Sequence, residues 1–178
     1  MNCIHVASLL GRVFLISSFH TAKEWRGITE IDEVSDYDAV RDVLEYEEAG
    51  LSLFSKSKEN SYLLYYSMSS KVEVFQIKNS IILCEGLYFN KSWDYSLPMN
   101  VVIDETNLFK IEVSGKYIVI VDAAEDLSVL TVPSIDNNEL HSFCSVPVDD
   151  GIYEASKVSV EIAVNNETII LQGVMLVG

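Results

Sequence analysis

The chain has 178 residues, with 27 Asp and Glu against 12 Lys and Arg, which gives a formal net charge of −15. Its hydrophobic fraction of 49% excludes an acidic disordered chain, because such chains lack the apolar side chains that offset the entropy of ordering. A strongly negative surface repels phosphate, which argues against direct binding of nucleic acid.

Antiparallel hairpins are the main element that the sequence predicts. Strand-like alternation of Val, Ile, Leu, Tyr and Phe recurs along the chain and is interrupted by short turns. In chain order, the predicted hairpins pair residues 4–7 with 12–17, 51–55 with 61–67, 72–77 with 80–87, 109–113 with 116–121, and 158–164 with 168–176. Gly and Asn in several of these turns tolerate the positive φ that tight hairpin turns require.

Two segments break the strand pattern and predict short helices. In residues 35–45 the apolar side chains fall at helical spacing on one face, namely at Tyr37, Val40 and Leu44. Ser35 and Asp38 form the predicted N-cap pair of this helix. Residues 136–146 repeat the spacing, and Pro147 ends the second predicted helix.

These elements predict an α+β fold, predominantly antiparallel β hairpins with two short helices. The order hairpin, helix, hairpin occurs in both halves, and residues 12–16 align with 116–120 at an offset of 104. The sequence predicts either one continuous domain or two tandem hairpin-helix-hairpin repeats packed as one globule. In the second case residues 1–89 form the first α+β repeat, 90–106 the connector and 107–178 the second α+β repeat.

Motifs of catalysis, cofactor binding and metal binding are missing from the sequence. The three cysteines lie far apart without a CxxC pair, which fits a reducing cytoplasm. The three histidines are scattered, and the eight glycines form no phosphate-binding loop. We therefore expect neither cofactor nor metal nor enzymatic activity.

The apolar beginning of the chain does not predict a signal peptide. No positive charge precedes its apolar stretch, and Arg12 interrupts that stretch. The longest apolar runs are far shorter than the roughly 20 residues that a membrane-spanning helix needs. We expect a cytoplasmic protein without membrane contact.

Negative charge is concentrated in residues 30–48. This segment holds nine carboxylates and one base, which gives −8 in 19 residues. The carboxylates belong to Glu30, Asp32, Glu33, Asp36, Asp38, Asp42, Glu45, Glu47 and Glu48. More than half of the net charge therefore lies in about a tenth of the chain.

Two interpretations of this acidic segment are open. It is either a solvated helix face that keeps the protein soluble or a docking surface for a basic protein. Trp25 is either an aromatic anchor of that surface or a core residue. Asp122, Glu125 and Asp126 are expected at the equivalent place in the second half and complete the candidate interface.

Four features follow one another in the first half of the chain. They are a strand over residues 12–17, the tripeptide Trp25-Arg26-Gly27, the segment Asp36-Tyr37-Asp38-Ala39-Val40, and a hairpin through Gly50 and Leu63-Leu64. This order resembles the immunity protein 21 family of bacterial polymorphic toxin systems, and the resemblance covers residues 12–65. The chain lacks the family's cysteine soon after the Asp-Tyr-Asp segment and the Gly-Gly-Pro of its first strand.

The resemblance implies a non-enzymatic cytoplasmic antidote that binds and neutralises a co-encoded toxin. The charge points to the same kind of partner, because toxin domains that attack nucleic acid have basic clefts that an acidic surface can fill. Two other functions stay open at this point. One is an acidic adaptor or secretion-chaperone-like domain unrelated to toxins, and the other is an enzyme whose site is assembled from distant carboxylates.

Overall fold

The protein is an all-β sandwich. The computed structural model describes residues 4–28, 35–38, 40, 50–56, 61–86, 99–125, 127–128, 143–164 and 167–178, with the backbone alone at 106–108 and 164. About 70% of these residues lie in antiparallel strands, so the predicted α+β class with its hairpin-helix-hairpin repeats is wrong. Strands follow the periodicity of the sequence, whereas the helical spacing at residues 143–146 does not form a helix.

Eleven strands and one short helix are bounded within the described part of the chain, and residues 36–38 and 40 are also helical. In order they are β1 (Ile4–Leu10), β2 (Val13–Ser18), α1 (Phe19–Ala22), β3 (Leu51–Ser55), β4 (Ser61–Tyr66), β5 (Lys71–Ile77), β6 (Ser80–Glu85), β7 (Met99–Val113), β8 (Tyr117–Asp122), β9 (Phe143–Pro147), β10 (Gly151–Val164) and β11 (Glu167–Val177). Sheet I has six strands in the order β1-β5-β6-β11-β10-β7. Sheet II has five strands in the order β3-β4-β2-β8-β9.

Three of the five predicted hairpins are confirmed. Strands β3 and β4, β5 and β6, and β10 and β11 pair antiparallel with their chain neighbours. The turn between β5 and β6 contains Lys78 with a φ of 54°, in the left-handed region that tight hairpin turns use.

The two other predicted hairpins are wrong, because the chain changes sheet at their turns. Strand β1 pairs with β5 in sheet I, whereas β2 pairs with β4 and β8 in sheet II. Strands β7 and β8 separate in the same way. Gly11, with a φ of 146°, and Gly115, with a φ of 87°, stand at these two corners. A Cβ on Gly11 would lie 2.3 Å from a carboxylate oxygen of Asp122, so this corner requires glycine.

The helix predictions have different outcomes. Residues 36–38 and 40 are helical, and Val40 is fully buried with Tyr37 packed beside it, as the apolar spacing predicted. Residues 41–45 lie outside the described part. The second predicted helix is wrong in its described part, because residues 143–146 belong to strand β9. Residues 136–142 lie outside the described part.

The two halves of the chain contribute the same arrangement of strands. Each strand of the first half except β3 has a counterpart in the second half: β1 corresponds to β7, β2 to β8, β4 to β9, β5 to β10 and β6 to β11. If each strand is replaced by its counterpart, sheet I keeps the same order of neighbours, and so does sheet II without β3. Ile16 and Ile120, which the offset of 104 aligns, face each other across the β2–β8 pair. Residues 99–106 of the predicted connector lie in β7, while 90–98 lie outside the described part. The boundaries of the proposed division into two units stay a prediction.

The core has three parts. The facing sides of the two sheets form the central cluster, which includes Phe14, Leu83 and Val174. The outer side of sheet II is covered by α1 and the residues around Trp25 and Val40. The third cluster lies on the outer side of sheet I, with side chains from β5, β6, β10 and β11. Within the described residues, no helix is long and apolar enough to cross a membrane.

Candidate interaction surface

The layer on the outer side of sheet II contains most of the described candidate residues. Helix α1 begins at Ser18, whose side-chain oxygen accepts the N–H of Thr21. The chain then continues through Trp25 toward the start of the helical segment at Ser35.

Trp25 is a core residue. Its side chain is fully buried, and its indole Nε1 donates a hydrogen bond of 2.8 Å to the carbonyl of Ala123. The ring packs edge-on against Tyr62 at 5.2 Å and Phe54 at 6.0 Å between centroids. Trp25 therefore supports the surface from below, and a role as an exposed contact residue is not compatible with this position.

The predicted N-cap pair at Ser35 and Asp38 is confirmed. The hydroxyl of Ser35 accepts the backbone N–H of Asp38 at 3.1 Å and donates to the Asp38 carboxylate at 2.6 Å. The first of these hydrogen bonds satisfies a backbone N–H that the first helical turn leaves without an intrahelical partner, and the second joins the two side chains. The Asp38 carboxylate therefore holds the start of the helix.

Asp36 ties the helical start to the rest of the layer. One of its carboxylate oxygens accepts the backbone N–H of Arg26 at 2.8 Å and forms an ion pair of 2.8 Å with Lys56. The side chain is only 14% exposed. Lys56 also donates to the carbonyl of Glu24, so this lysine joins both parts of the layer. Reversing the charge of Asp36 would break local structure as well as any docking contact.

A turn after β8 meets the same layer. Ile28 donates its N–H to the carbonyl of Ala124 at 2.9 Å, and the N–H of Leu127 is bonded to the carbonyl of Trp25 at 3.2 Å. A Cβ on Gly27 would lie 2.4 Å from backbone atoms of Ala124 and Glu125, so the two segments are in close contact. Candidate residues from two distant parts of the sequence therefore lie on either side of residues 25–28.

Asp122 is partly structural in this turn. Burial raises the pKa of Asp122, the N–H of Ala124 opposes the rise by donating to the carboxylate at 2.9 Å, and the charge of Glu125 adds to it. Glu125 is exposed. Of these two carboxylates, Glu125 is the one whose side chain is accessible to a partner.

We name the described carboxylates of this region the acidic rim. The acidic rim consists of Glu24, Asp36, Asp38, Asp122 and Glu125. Burial raises the pKa of Tyr62 to about 12, and the charges of Asp36 and Glu24 add to this rise. Glu24 was not among the predicted contact residues, although it directly precedes Trp25.

The other predicted contact residues lie outside the described part of the chain. They are Glu30, Asp32, Glu33, Asp42, Glu45, Glu47, Glu48 and Asp126. Their places in an interface stay a prediction.

Metal-binding groups, thiols and clefts are the remaining chemical features of the described residues. They contain no group of three or more His, Cys, Asp or Glu side chains that could hold a metal ion. Cys84 and Cys144 are buried free thiols, and burial raises the pKa of Cys144 to about 12. A shallow cleft of about 340 Å³ opens where the two sheets end, lined by Asn79, Lys116, Tyr117, Pro147, Val148 and Asp149. None of the predicted contact residues lines it.

Comparisons with known proteins do not identify the chain. No protein-family model, curated protein or solved structure matches it. The resemblance to the immunity protein 21 family stays a prediction.

Sequence reasoning missed one polar cluster on the outer side of sheet I. The Glu73 carboxylate on β5 is 1% exposed and bonds His5 at 2.9 Å, Ser8 at 2.5 Å and Lys71 at 2.5 Å. The sequence Val72-Glu73-Val74 indicates that a charged side chain lies within a strand. It does not indicate which residues bond to that carboxylate. His5 and Ser8 reach it only because β1 pairs with β5.

Proposed function

We propose that this chain is an immunity protein that binds and neutralises a cognate bacterial toxin with a basic surface. It acts by occupying that surface, in the cytoplasm, without a cofactor and without catalysing a reaction. The contact residues are the exposed members of the acidic rim together with the acidic segment of residues 30–48.

One observation carries this proposal. The layer around Trp25 brings Asp36 and Asp38 to one side of residues 25–28 and Glu125 to the other side. Carboxylates that lie about 90 residues apart in sequence thus belong to two segments that both bond to residues 25–28. A surface with an excess of one sign of charge speeds encounter with a partner of the opposite sign and rejects partners of the same sign.

The fold supports the same proposal through rigidity. The indole of Trp25, the Ser35 cap and the ion pair between Asp36 and Lys56 fix the layer to sheet II. A surface fixed before binding loses little conformational entropy on association. Acidic side chains held at fixed positions can replace the phosphates that a nuclease cleft normally binds.

Co-expression tests the proposal. The chain should bind the protein encoded by the neighbouring open reading frame and should restore growth to cells that express it. The matched control is the Trp25→Ala variant, which should lose protection because its surface layer is no longer fixed to the sheet. Failure of the wild-type chain to bind or protect against any neighbouring gene product would contradict the proposal and favour an acidic adaptor.

A further inference from the structure

The edge of sheet I at β7 is a second surface. Strand β7 pairs with β10, and no other described strand pairs with it. The pairing shifts register between Glu105 and Phe109, where three residues of β7 stand opposite one residue of β10. A second shift leaves Asp104 as an extra residue between the pairs Glu105–Lys157 and Ile103–Val158. Residues 99–105 therefore lie beyond the larger shift, with 99–103 in regular register, and pair with β10 on one side only among the described residues.

This stretch is the most exposed of the four sheet edges. Five of its seven residues are exposed, against two residues each in β1 and β3 and one in β9. Val102 is 41% and Ile103 is 47% exposed. Consecutive residues of a strand point to opposite faces of the sheet, so Val102 and Ile103 lie on different faces. The strand edge is the one place that is adjacent to both side chains. A strand added at that edge would cover both.

The charges beside this edge are negative. Asp104 accepts a hydrogen bond of 2.6 Å from Ser159, and Glu161 accepts one of 2.8 Å from Asn100. Neutral donors orient these carboxylates without cancelling their charge. Among the described residues, Glu105 is the one carboxylate here with a cation within salt-bridge distance, Lys157 at 3.4 Å.

We infer that residues 99–105 of β7 bind an extended basic segment of another protein by strand addition. Backbone hydrogen bonds to the open edge and burial of Val102 and Ile103 provide affinity, and Asp104 and Glu161 select for Lys and Arg. A second copy of the chain is disfavoured as the occupant, because it would bring the same carboxylates and a net charge of −15 to the edge. This inference goes beyond the proposed function, since it requires neither a toxin nor the acidic rim.

A peptide probe tests this edge. The probe is a blocked heptapeptide of alternating Lys and Val, and its control has Glu in place of Lys. Binding of the Lys peptide to the full chain should slow amide hydrogen exchange in residues 99–105, whereas the Glu peptide should leave exchange unchanged. Val102→Lys should weaken binding about tenfold or more, because it places like charge against the peptide.

Ile170→Lys is the matched control. Ile170 is 59% exposed and lies on β11, opposite Glu161 of β10. It shares the face of sheet I that carries Val102, but it lies two strand spacings, about 10 Å, from β7. The Ile170→Lys substitution should change the affinity for the Lys peptide by less than about twofold. Glu125→Lys on the acidic rim should also leave the affinity unchanged, so a failure here is separate from a failure of the proposed function.

Three results would overturn the inference. One is an equal loss of affinity in Val102→Lys and Ile170→Lys. This result would indicate that the peptide binds on the face of sheet I, or that it is held only by non-specific electrostatic attraction. Another is unchanged exchange in residues 99–105. The third is concentration-dependent dimerisation of the wild-type chain that Val102→Lys abolishes, which would make a second copy the occupant. Both substitutions are at exposed positions, and unchanged circular dichroism would confirm that both variants fold.

Discussion

Replacing Trp25 with alanine is expected to lower the free energy of unfolding by about 3–5 kcal/mol. The side chain is fully buried between sheet II and the layer that covers it, so its removal leaves a cavity lined by Tyr62 and Phe54. The carbonyl of Ala123 also loses its indole donor. Urea unfolding followed by far-ultraviolet circular dichroism measures the change.

Trp25→Phe separates the two contributions. It keeps an aromatic ring against Tyr62 but removes the donor to Ala123, so a smaller loss of about 1–3 kcal/mol is expected. A Trp25→Ala variant within about 0.5 kcal/mol of the wild-type chain would show that this side chain lies at the surface.

Replacing Glu73 with glutamine is expected to lower stability at neutral pH by about 3 kcal/mol. Burial by itself raises the pKa of Glu73, but hydrogen bonds from His5, Lys71 and Ser8 and the charge of Lys71 outweigh it and lower the pKa from 4.5 to about 2. A difference of this size between the folded and unfolded chain corresponds to about 3 kcal/mol of stability.

The pH dependence follows from the sign of that change. Because the pKa of Glu73 is lower in the folded chain, its stabilisation is fully present above about pH 4.5 and is lost as the pH falls toward about 2. The unfolding free energies of the wild-type chain and Glu73→Gln should therefore converge over this range. Glu112→Gln, at an exposed position on β7, should stay within about 0.5 kcal/mol of the wild type throughout. Parallel curves for Glu73→Gln and the wild type would contradict the account.

The sequence predicted strands better than it predicted their partners. The turn at Lys78-Asn79 joins paired strands, while those at Gly11 and Ser114-Gly115 join strands of different sheets. A glycine between two apolar segments suits both outcomes, because a hairpin and a corner between sheets both need unusual backbone angles. Long-range packing decides between them, as at Gly11, where Asp122 occupies the space that a side chain would need.

The wrong helix at residues 136–146 has a similar cause. Phe143 and Val146 fit a helical spacing, but Cys144 and Val146 also alternate with Phe143 as a strand requires. In β9, Cys144 and Val146 face the central core, and Phe143 packs on the outer side of sheet II. A short apolar segment satisfies both periods, and pairing with β8 selects the strand.

The candidate surface was predictable in part. The cap at Ser35 and Asp38 is local, and local hydrogen bonds can be predicted from spacing alone. The ion pair of Asp36 with Lys56 and the contact of Gly27 with the turn at Ala124 depend on the fold, and no sequence pattern marks them. Trp25 was open between anchor and core, and its burial assigns it to the core.

The association rate with the toxin is the most direct test that the acidic segment docks a basic partner. Glu47→Lys with Glu48→Lys changes the segment without touching Asp36, Asp38 or Asp122, which hold local structure. Glu112→Lys with Glu167→Lys, at exposed positions on β7 and β11, makes the same change in net charge.

Stopped-flow binding at low and high ionic strength provides the measurement. We predict that the first pair slows association about tenfold or more at low salt, that the second pair slows it less than about twofold, and that the difference disappears at high salt. Equal rates for the two pairs at low salt would contradict the account.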